Sequence, residues 1–567
     1  MNRNLLLSAI PCLSFAACWP TENPLDQDDD GDGYSEWEGD CDDSDPLIYP
    51  GTPLCNVYCE EQGWTERPFD NEGPYGEYRH NTADSFKVEL LDGSDWKLRD
   101  HWSGCESVVI LTDSLRISAL DSTSLWESEE DVAALVEKSP RNAYYLFISA
   151  RSGSTAEQNL DNMQVRINDV LDELDDEDRD WWAERLLVVG EVADDLDNWV
   201  ERVLDDDAGA GFIIDRLQQI RLFGNFADVS RYDTALANAE HWPWRGNLSY
   251  ATHEVRGANF RSDREDRLAA QENVTIVTAW EGEVLQGTTD TDVVFPEAST
   301  MAGFDSLEID LTMDCPDPEQ GESGNCQAWD YLSHLYLLDE GEAGEEDDTW
   351  IEMARFITTY HREGRYLVDA TPMLVPLAQG GTRRIRFDAS SQSYLTTIDF
   401  RFRNAGKGYA PSEATYLWGG RGFNEDYNVG REAVTVDIPA DATRVELRAI
   451  ITGHGMAAGN CAEFCNHQHE FTVEGETWMK DHPAIGNDEG CIDQIENGMT
   501  PNQGGTWWFG RGGWCPGQQV DPTVFDVTDA VTPGSSAEVG YRGLLGGATP
   551  PPNSGNIRLS SWLVVYR

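Results

Sequence analysis

From about residue 250 to its end the chain is a succession of short runs that alternate apolar and polar residues. They are "NVTIVTAW", "SLEIDLTMD", "HLYLLDE", "RRIRFDAS", "TIDFRFR", "AVTVDIP", "RVELRAIITG", "HEFTVEG", "SAEVGYRG" and "SSWLVVYR", separated by Gly, Pro, Asn and Asp. Successive side chains of a strand point to opposite faces, so each run has one face to bury and one for solvent. Turn residues at these intervals close the connections between them. No helical period is visible here. The pattern predicts an all-β region of two sandwich or jelly-roll domains, over 270–415 and 425–567, with a joint near "GRGFNEDYNVG".

The middle of the chain differs. "FKVELLDGSDWKL" reads as a strand hairpin, "SVVILTD", "NAYYLFISA" and "RLLVVGE" as buried strands, and "EEDVAALVEKS" as a helix. Alternating strands and helices predict an α/β domain with a partly parallel sheet over 75–235. The order resembles a thioredoxin-like domain, with "IIDRLQQIRLFGNF" similar to that family's late hairpin. The strand–helix junction holds no CxxC, and thiol–disulfide exchange needs an attacking and a resolving sulfur. The domain is therefore expected to lack redox activity, with Cys105 bonded to Cys59.

The first residues, "MNRNLLLSAIPCLSFAAC", carry one early arginine and an apolar stretch too short to span a bilayer as a mature helix. Ala16 and Ala17 before Cys18 resemble a bacterial lipobox, which implies cleavage and lipidation at Cys18 (1–18 as signal). The protein is expected to be exported, to the cell envelope as an outer-membrane lipoprotein or into the medium. Residues 19–60 are acidic and turn-rich. Asp28, Asp30 and Asp32 alternate before Gly33, and Asp40, Asp42 and Asp43 follow, an oxygen-rich set suited to a hard cation such as calcium. The stretch also resembles a short acidic metal-binding repeat of exported myxobacterial-type proteins, which usually pairs its own cysteines, here Cys41 and Cys55. A net charge of −64 repels nucleic acid and anionic lipid, leaving the lipid anchor as the membrane attachment.

The chain has 12 cysteines. Setting aside Cys12 in the signal and Cys18 leaves an even number in an oxidising compartment, which favours disulfides over metal thiolates. The stretch "GNCAEFCNHQHEF" is the densest in chemistry, and taken alone it admits a metal site, a redox pair or a disulfide staple. His467 and His469 form an HxH pair on one strand face, and His454 and Met456 in "GHGM" are candidate further ligands for copper; the other reading is structural, with one histidine hydrogen-bonded to a loop and the other exposed.

Three segments together carry a resemblance: "DCPDPEQGESGNCQAWDYLSHLYLL", "GNCAEFCNHQHEF" and "GCIDQIENGMTPNQGGTWWFGRGGWCPG". With "RFITTY" and "YNVGREAVTVDIP" they are similar to bacterial peptide-N-glycosidase F over roughly residues 290–567. The resemblance implies two jelly rolls, disulfides Cys315–Cys326, Cys461–Cys465 and Cys491–Cys515, and hydrolysis of the amide joining an N-linked glycan to asparagine. It implies no catalytic cofactor, and N-glycosylated peptides or glycoproteins as partners. It assigns Asp330 as the base that positions water and Glu463 as the acid acting on the amide. A third acid falls on the strand containing Asp388, with Ser390 the competing register. Trp329, Tyr360, Arg511, Trp514 and Trp507, with Trp508 beside it, are the implied substrate-binding set, since aromatic faces stack on sugar rings and arginine donates to carbonyls. The chain departs from the family at Tyr331, where an arginine is usual, and at His454, where a tryptophan is usual. Two other readings stand beside the amidase: a non-catalytic glycan-binding lipoprotein, and a copper monooxygenase-like jelly roll using His467 and His469.

Overall fold

The computed structural model describes residues 57–113, 125–206, 210–227, 246–339, 349–456 and 459–567. The expected lipidation at Cys18, the pair Cys41 and Cys55, and the acidic set Asp28, Asp30, Asp32, Asp40, Asp42 and Asp43 lie outside them. The described residues fall into two units. One comprises residues up to Phe69 with Arg99–Cys105, and it contains the Cys59–Cys105 disulfide. The other holds Asp70–Leu98 and Glu106–Arg567, and all that follows concerns it.

Its first layer opens with a hairpin of β1 (Lys87–Glu89) and β2 (Asp95–Lys97). A five-stranded sheet follows, of β3 (Ser107–Thr112), β4 (Ala143–Ser149), β5 (Leu186–Val192), β6 (Gly211–Ile214) and β7 (Ile220–Leu222), in the order β5-β4-β3-β6-β7. β3, β4 and β5 are parallel, and β6 and β7 close the sheet antiparallel. Every residue of β3 and β4 is buried, as expected when helices cover both faces of parallel strands. A helix over Ala251–Ala269 then packs on this layer, where the sequence reading expected helical structure to have ended. Its buried side mixes Ala251, Val255, Ala258 and Leu268 with His253, Glu254, Asn259, Ser262 and Arg264, so the apolar stripe that marks a helix in sequence is broken by polar residues.

The first sandwich contains β8 (Thr275–Phe295), β9 (Ser306–Asp314), β10 (Leu332–Asp339), β11 (Thr349–Ile357), β12 (Gly364–Asp369) and β13 (Gly381–Arg403). The order is β11-β10-β13-β9-β12, with β8 also on β13. The two expected strands "RRIRFDAS" and "TIDFRFR" are one strand, β13, interrupted by a shift of register between Asp388 and Ser393. Ser390 sits there at φ 61°, a left-handed conformation unusual outside glycine. Before the bulge the buried positions are Ile385, Phe387 and Ala389; after it they are Gln392, Tyr394, Thr396 and Ile398. The inserted residue exchanges the two faces of the strand.

The second sandwich has one sheet of β14 (Pro411–Gly422), β21 (Asn556–Tyr566), β16 (Arg444–His454) and β19 (Thr523–Asp526). Its other sheet is β15 (Val434–Asp437), β20 (Ser536–Leu545), β17 (His467–Val473) and β18 (Glu476–Lys480). β14 begins inside the span expected for the first sandwich, yet pairs with β21 of the second. Ile450, Trp514, Trp562, Val564 and Tyr566 join the first sandwich's core, so the two sandwiches share an apolar seam. Arg362 ties the α/β layer to that seam. Its guanidinium pairs with Glu254 on the helix at 2.9 Å and with Glu322, and donates to the carbonyls of Leu222 and Pro501.

Candidate active site

The cysteine-framed segments meet at the seam. Asp330 lies just before β10, after a loop closed by Cys315–Cys326. Its backbone is pinned from three sides. The Trp329 carbonyl accepts from Thr358 Oγ1 at 2.6 Å and from Gln392 Nε2 at 2.5 Å, and the Tyr331 amide donates to Thr358 Oγ1 at 2.8 Å. Across the seam, Cys461–Cys465 closes a turn in which the Phe464 and Cys465 amides both donate to the Cys461 carbonyl. Glu463 occupies this turn. The Gly512 amide donates to its carbonyl at 2.8 Å, and the Gly455 amide to its Oε2 at 3.3 Å. A carboxylate carried on such a short closed loop is held in place before any substrate arrives.

Arg511 joins the two acids. Its Nε lies 3.2 Å from Glu463 Oε1 and its Nη2 lies 3.5 Å from Asp330 Oδ2. Its remaining donors go to the Phe509 carbonyl at 3.0 Å and the Thr506 carbonyl at 2.9 Å, with Tyr360 Oη at 3.5 Å. The guanidinium is 4.9 Å above the Trp514 ring, and the side chain is 1% exposed. Tyr360 completes the group through a hydrogen bond to Asp330. Burial pushes the Asp330 carboxyl above its ordinary value, against the pull of Arg511 and Tyr360. Burial likewise raises Glu463, which Arg511 opposes and the Asp330 charge reinforces. Burial also raises the Tyr360 hydroxyl, so it stays a neutral donor.

Several expected roles change. Asp388 does not join this cluster. It lies before the β13 bulge and lines a separate cavity of about 900 Å³ with His334, Glu352 and Arg355. Gln392, brought inward by the bulge, is the β13 residue that reaches the Asp330 loop. Trp507 is 2% exposed and packs edge-on against His253 of the helix, and Trp508 is equally buried. Trp514 is 6% exposed and donates from its indole to the Gly453 carbonyl. These three are packing residues rather than an open stacking platform. Arg511, with its donors spent on protein groups, holds the acids and has little left for a ligand. Trp329, 57% exposed, and Tyr331 are the aromatic faces open to solvent beside Asp330.

The copper set also changes. His454 stacks on Trp514 and hydrogen-bonds Thr452, and Met456 is 75% exposed, so neither joins His467 and His469. The third histidine beside that pair is His482, which the sequence reading did not single out. It stands 13 residues after His469, and only the β17–β18 hairpin brings it back.

Residues 423–564 match the family described as "Peptide-N-glycosidase F, C terminal". A peptide-N(4)-(N-acetyl-beta-D-glucosaminyl)asparagine amidase F of Elizabethkingia miricola is 24% identical over 257 residues, covering 42% of this chain and 67% of the relative. A crystal structure of a peptide-N(4)-(N-acetyl-beta-D-glucosaminyl)asparagine amidase aligns over 52% of this chain and 96% of its own, at 18% identity and a TM-score of 0.43. The structure of PNGase F from Flavobacterium meningosepticum, called a glycosylasparaginase, covers the same shares at 18% identity and a TM-score of 0.41. The C-terminal half of this chain is thus similar to peptide-N-glycosidase F, with residues 423–564 matching that family's C-terminal domain.

Proposed function

We propose that the protein is an amidase that cleaves the bond between an N-linked glycan and its asparagine. The observation that supports this most is Arg511 bridging Asp330 of one sandwich to Glu463 of the other. Two carboxylates with raised affinities for protons, at the edge of a buried cation, suit acid–base chemistry near neutrality. In this reading Asp330 takes a proton from water as its oxygen attacks the side-chain carbonyl carbon. The carbon–nitrogen bond then breaks, the leaving glycosylamine nitrogen takes up a proton with the help of Glu463, and aspartate remains on the peptide. Trp329 and Tyr331 offer faces for sugar rings at the mouth. Four disulfides among the described residues support placing the protein outside the cytoplasm.

One observation favours a second reading, a glycan-binding protein without turnover. Most of the donors of Arg511 are taken by the protein itself, leaving little to polarise a substrate. Incubation with an N-glycosylated peptide, followed by mass spectrometry of the peptide, separates the two. Release with Asn converted to Asp supports the amidase; tight binding with the glycopeptide unchanged supports the second.

Two further results are expected of the amidase. Asp330 must be ionised to act as base, and its pKa is raised above 3.8, so kcat/KM should fall on acidification at a higher pH than an ordinary aspartate would give. A profile flat down to the ordinary aspartate range contradicts the assignment. Trp329→Ala should raise KM about tenfold with kcat little changed, because an exposed stacking face contributes uniform binding. A fall in kcat at constant KM contradicts the stacking role.

A further inference from the structure

His467 and His469 lie on one face of β17, and the pairing of His469 with Lys480 on β18 returns the chain so that His482 meets both. Ring centroids are 5.0 Å apart for His467 and His469, 4.6 Å for His467 and His482, and 5.9 Å for His469 and His482. One nitrogen from each ring lies within 4.8 Å of the others. His467 and His469 are fully buried, and His482 is 6% exposed. The chain has only 10 histidines, so three converging in a β-sandwich core is specific placement rather than crowding.

Hydrogen bonding among the rings leaves this arrangement incomplete. His467 Nδ1 is 2.8 Å from His469 Nε2, and His469 Nδ1 is 2.7 Å from the Tyr541 hydroxyl, which also meets the Tyr427 hydroxyl at 2.9 Å. Nε2 of His482 is buried with no hydrogen-bond partner, and Nε2 of His467 has none of good geometry. A buried polar atom left unmet is destabilising. The His467 ring edge lies in a cradle of backbone. A Cβ on Gly453 or on Gly512 would fall 2.3 Å from its Nε2, so glycine is required at both. The second tautomer of His469 resolves the pattern. With its proton on Nδ1, donated to Tyr541, and that of His467 on Nε2, the neighbouring nitrogens His469 Nε2 and His467 Nδ1, 2.8 Å apart, both carry lone pairs available to a ligand. Histidine ligands to metals are oriented in this way by a partner on the other ring nitrogen.

We propose that His467, His469 and His482 bind a late first-row divalent metal, of which zinc is the test case. The site is all imidazole, which suits zinc and copper over calcium or magnesium. The site is structural in position. It lies behind the Glu463 turn, where Gly453 donates to the Gly512 carbonyl and Gly512 to the Glu463 carbonyl. Metal there would fasten β17 to the segment that follows β18. Among the described residues one other group has ligand spacing, His80, Asp314 and Glu363, but Arg79, Arg221 and Arg365 surround it and already supply its positive charge.

The test uses the full chain, stripped with chelator and held in excess calcium, so that acidic oxygen sites are filled. Cobalt(II) titration should give a visible absorption band saturating at about one equivalent, and zinc should raise Tm and displace the band. His482→Ala, at the edge of the cluster, should weaken zinc binding by more than about tenfold, since even partners that orient a ligand contribute about ten- to a hundredfold. Should it fold poorly, His482→Gln gives the same comparison, with near-ultraviolet circular dichroism confirming the fold. The proposal is overturned if folded wild-type protein shows neither band nor zinc-dependent Tm, or if the folded His482 variant binds zinc as tightly as wild type. Neither readout requires amidase activity, so the result stands apart from the proposed function.

Discussion

Asp330→Asn is expected to lower the rate of glycan release by about two to four orders of magnitude, the usual worth of a positioned acid or base. Asparagine keeps the size of the side chain and can still accept from Tyr360, but it cannot take a proton from water. Binding should change little, because Trp329 and Tyr331 are untouched. Stability should hold or rise. A carboxyl whose folded pKa is raised contributes stability below its unfolded pKa, and that contribution is lost as pH rises through the folded value. Ionised Asp330 and Glu463 therefore oppose folding at neutral pH. The expected combination is a large loss of rate with an unchanged or higher Tm at pH 7. A loss of rate accompanied by a fall in Tm would mean that the substitution had disturbed the loop, and a rate equal to wild type would remove Asp330 from the chemistry.

Arg511→Met should be the most damaging single change to the site. The side chain is 1% exposed and neutralises two carboxylates drawn from different sandwiches. Breaking a buried ion pair by removing one partner typically costs about 3–5 kcal/mol, because the other charge is left uncompensated. The methionine also abandons the Phe509 and Thr506 carbonyls. Without Arg511 the pKa values of Asp330 and Glu463 rise further, so more stability is lost as pH increases through them. The gap in Tm between wild type and variant should widen from acid to neutral pH, measured by thermal melts across that range. A gap independent of pH would show that Arg511 serves as packing against Trp514 rather than as the counter-charge.

What could be read from the sequence was what depends on local pattern. Cysteines paired across short separations, and alternation marked β9 and β17, because both are set by neighbours in the chain. The bulge in β13 was not legible: one residue at Ser390 exchanges the strand's faces, so Asp388 was expected where Gln392 arrives. The helix Ala251–Ala269 was hidden because buried polar residues interrupt its apolar side, and its partners Arg362 and Asn502 come from far along the chain. Burial of Trp507 and Trp514 reverses the groove suggested by their glycine-rich setting; those glycines let backbone approach Tyr360, His467 and Ala484 closely. His482 escaped notice because nothing in its own segment resembles a ligand motif, and only strand pairing delivers it to His467.

The most direct measurement of the central claim is the fate of the asparagine when wild-type protein acts on an N-glycosylated peptide in heavy-oxygen water. Attack of water on the side-chain carbonyl predicts a released glycan and a peptide whose new aspartate carries heavy oxygen in its carboxylate, with no label when Asp330→Asn replaces wild type over the same interval. A peptide left with unlabelled asparagine, or with a sugar still attached to it, would contradict the account, since the bond cleaved would not be the amide that Asp330 and Glu463 are placed to hydrolyse.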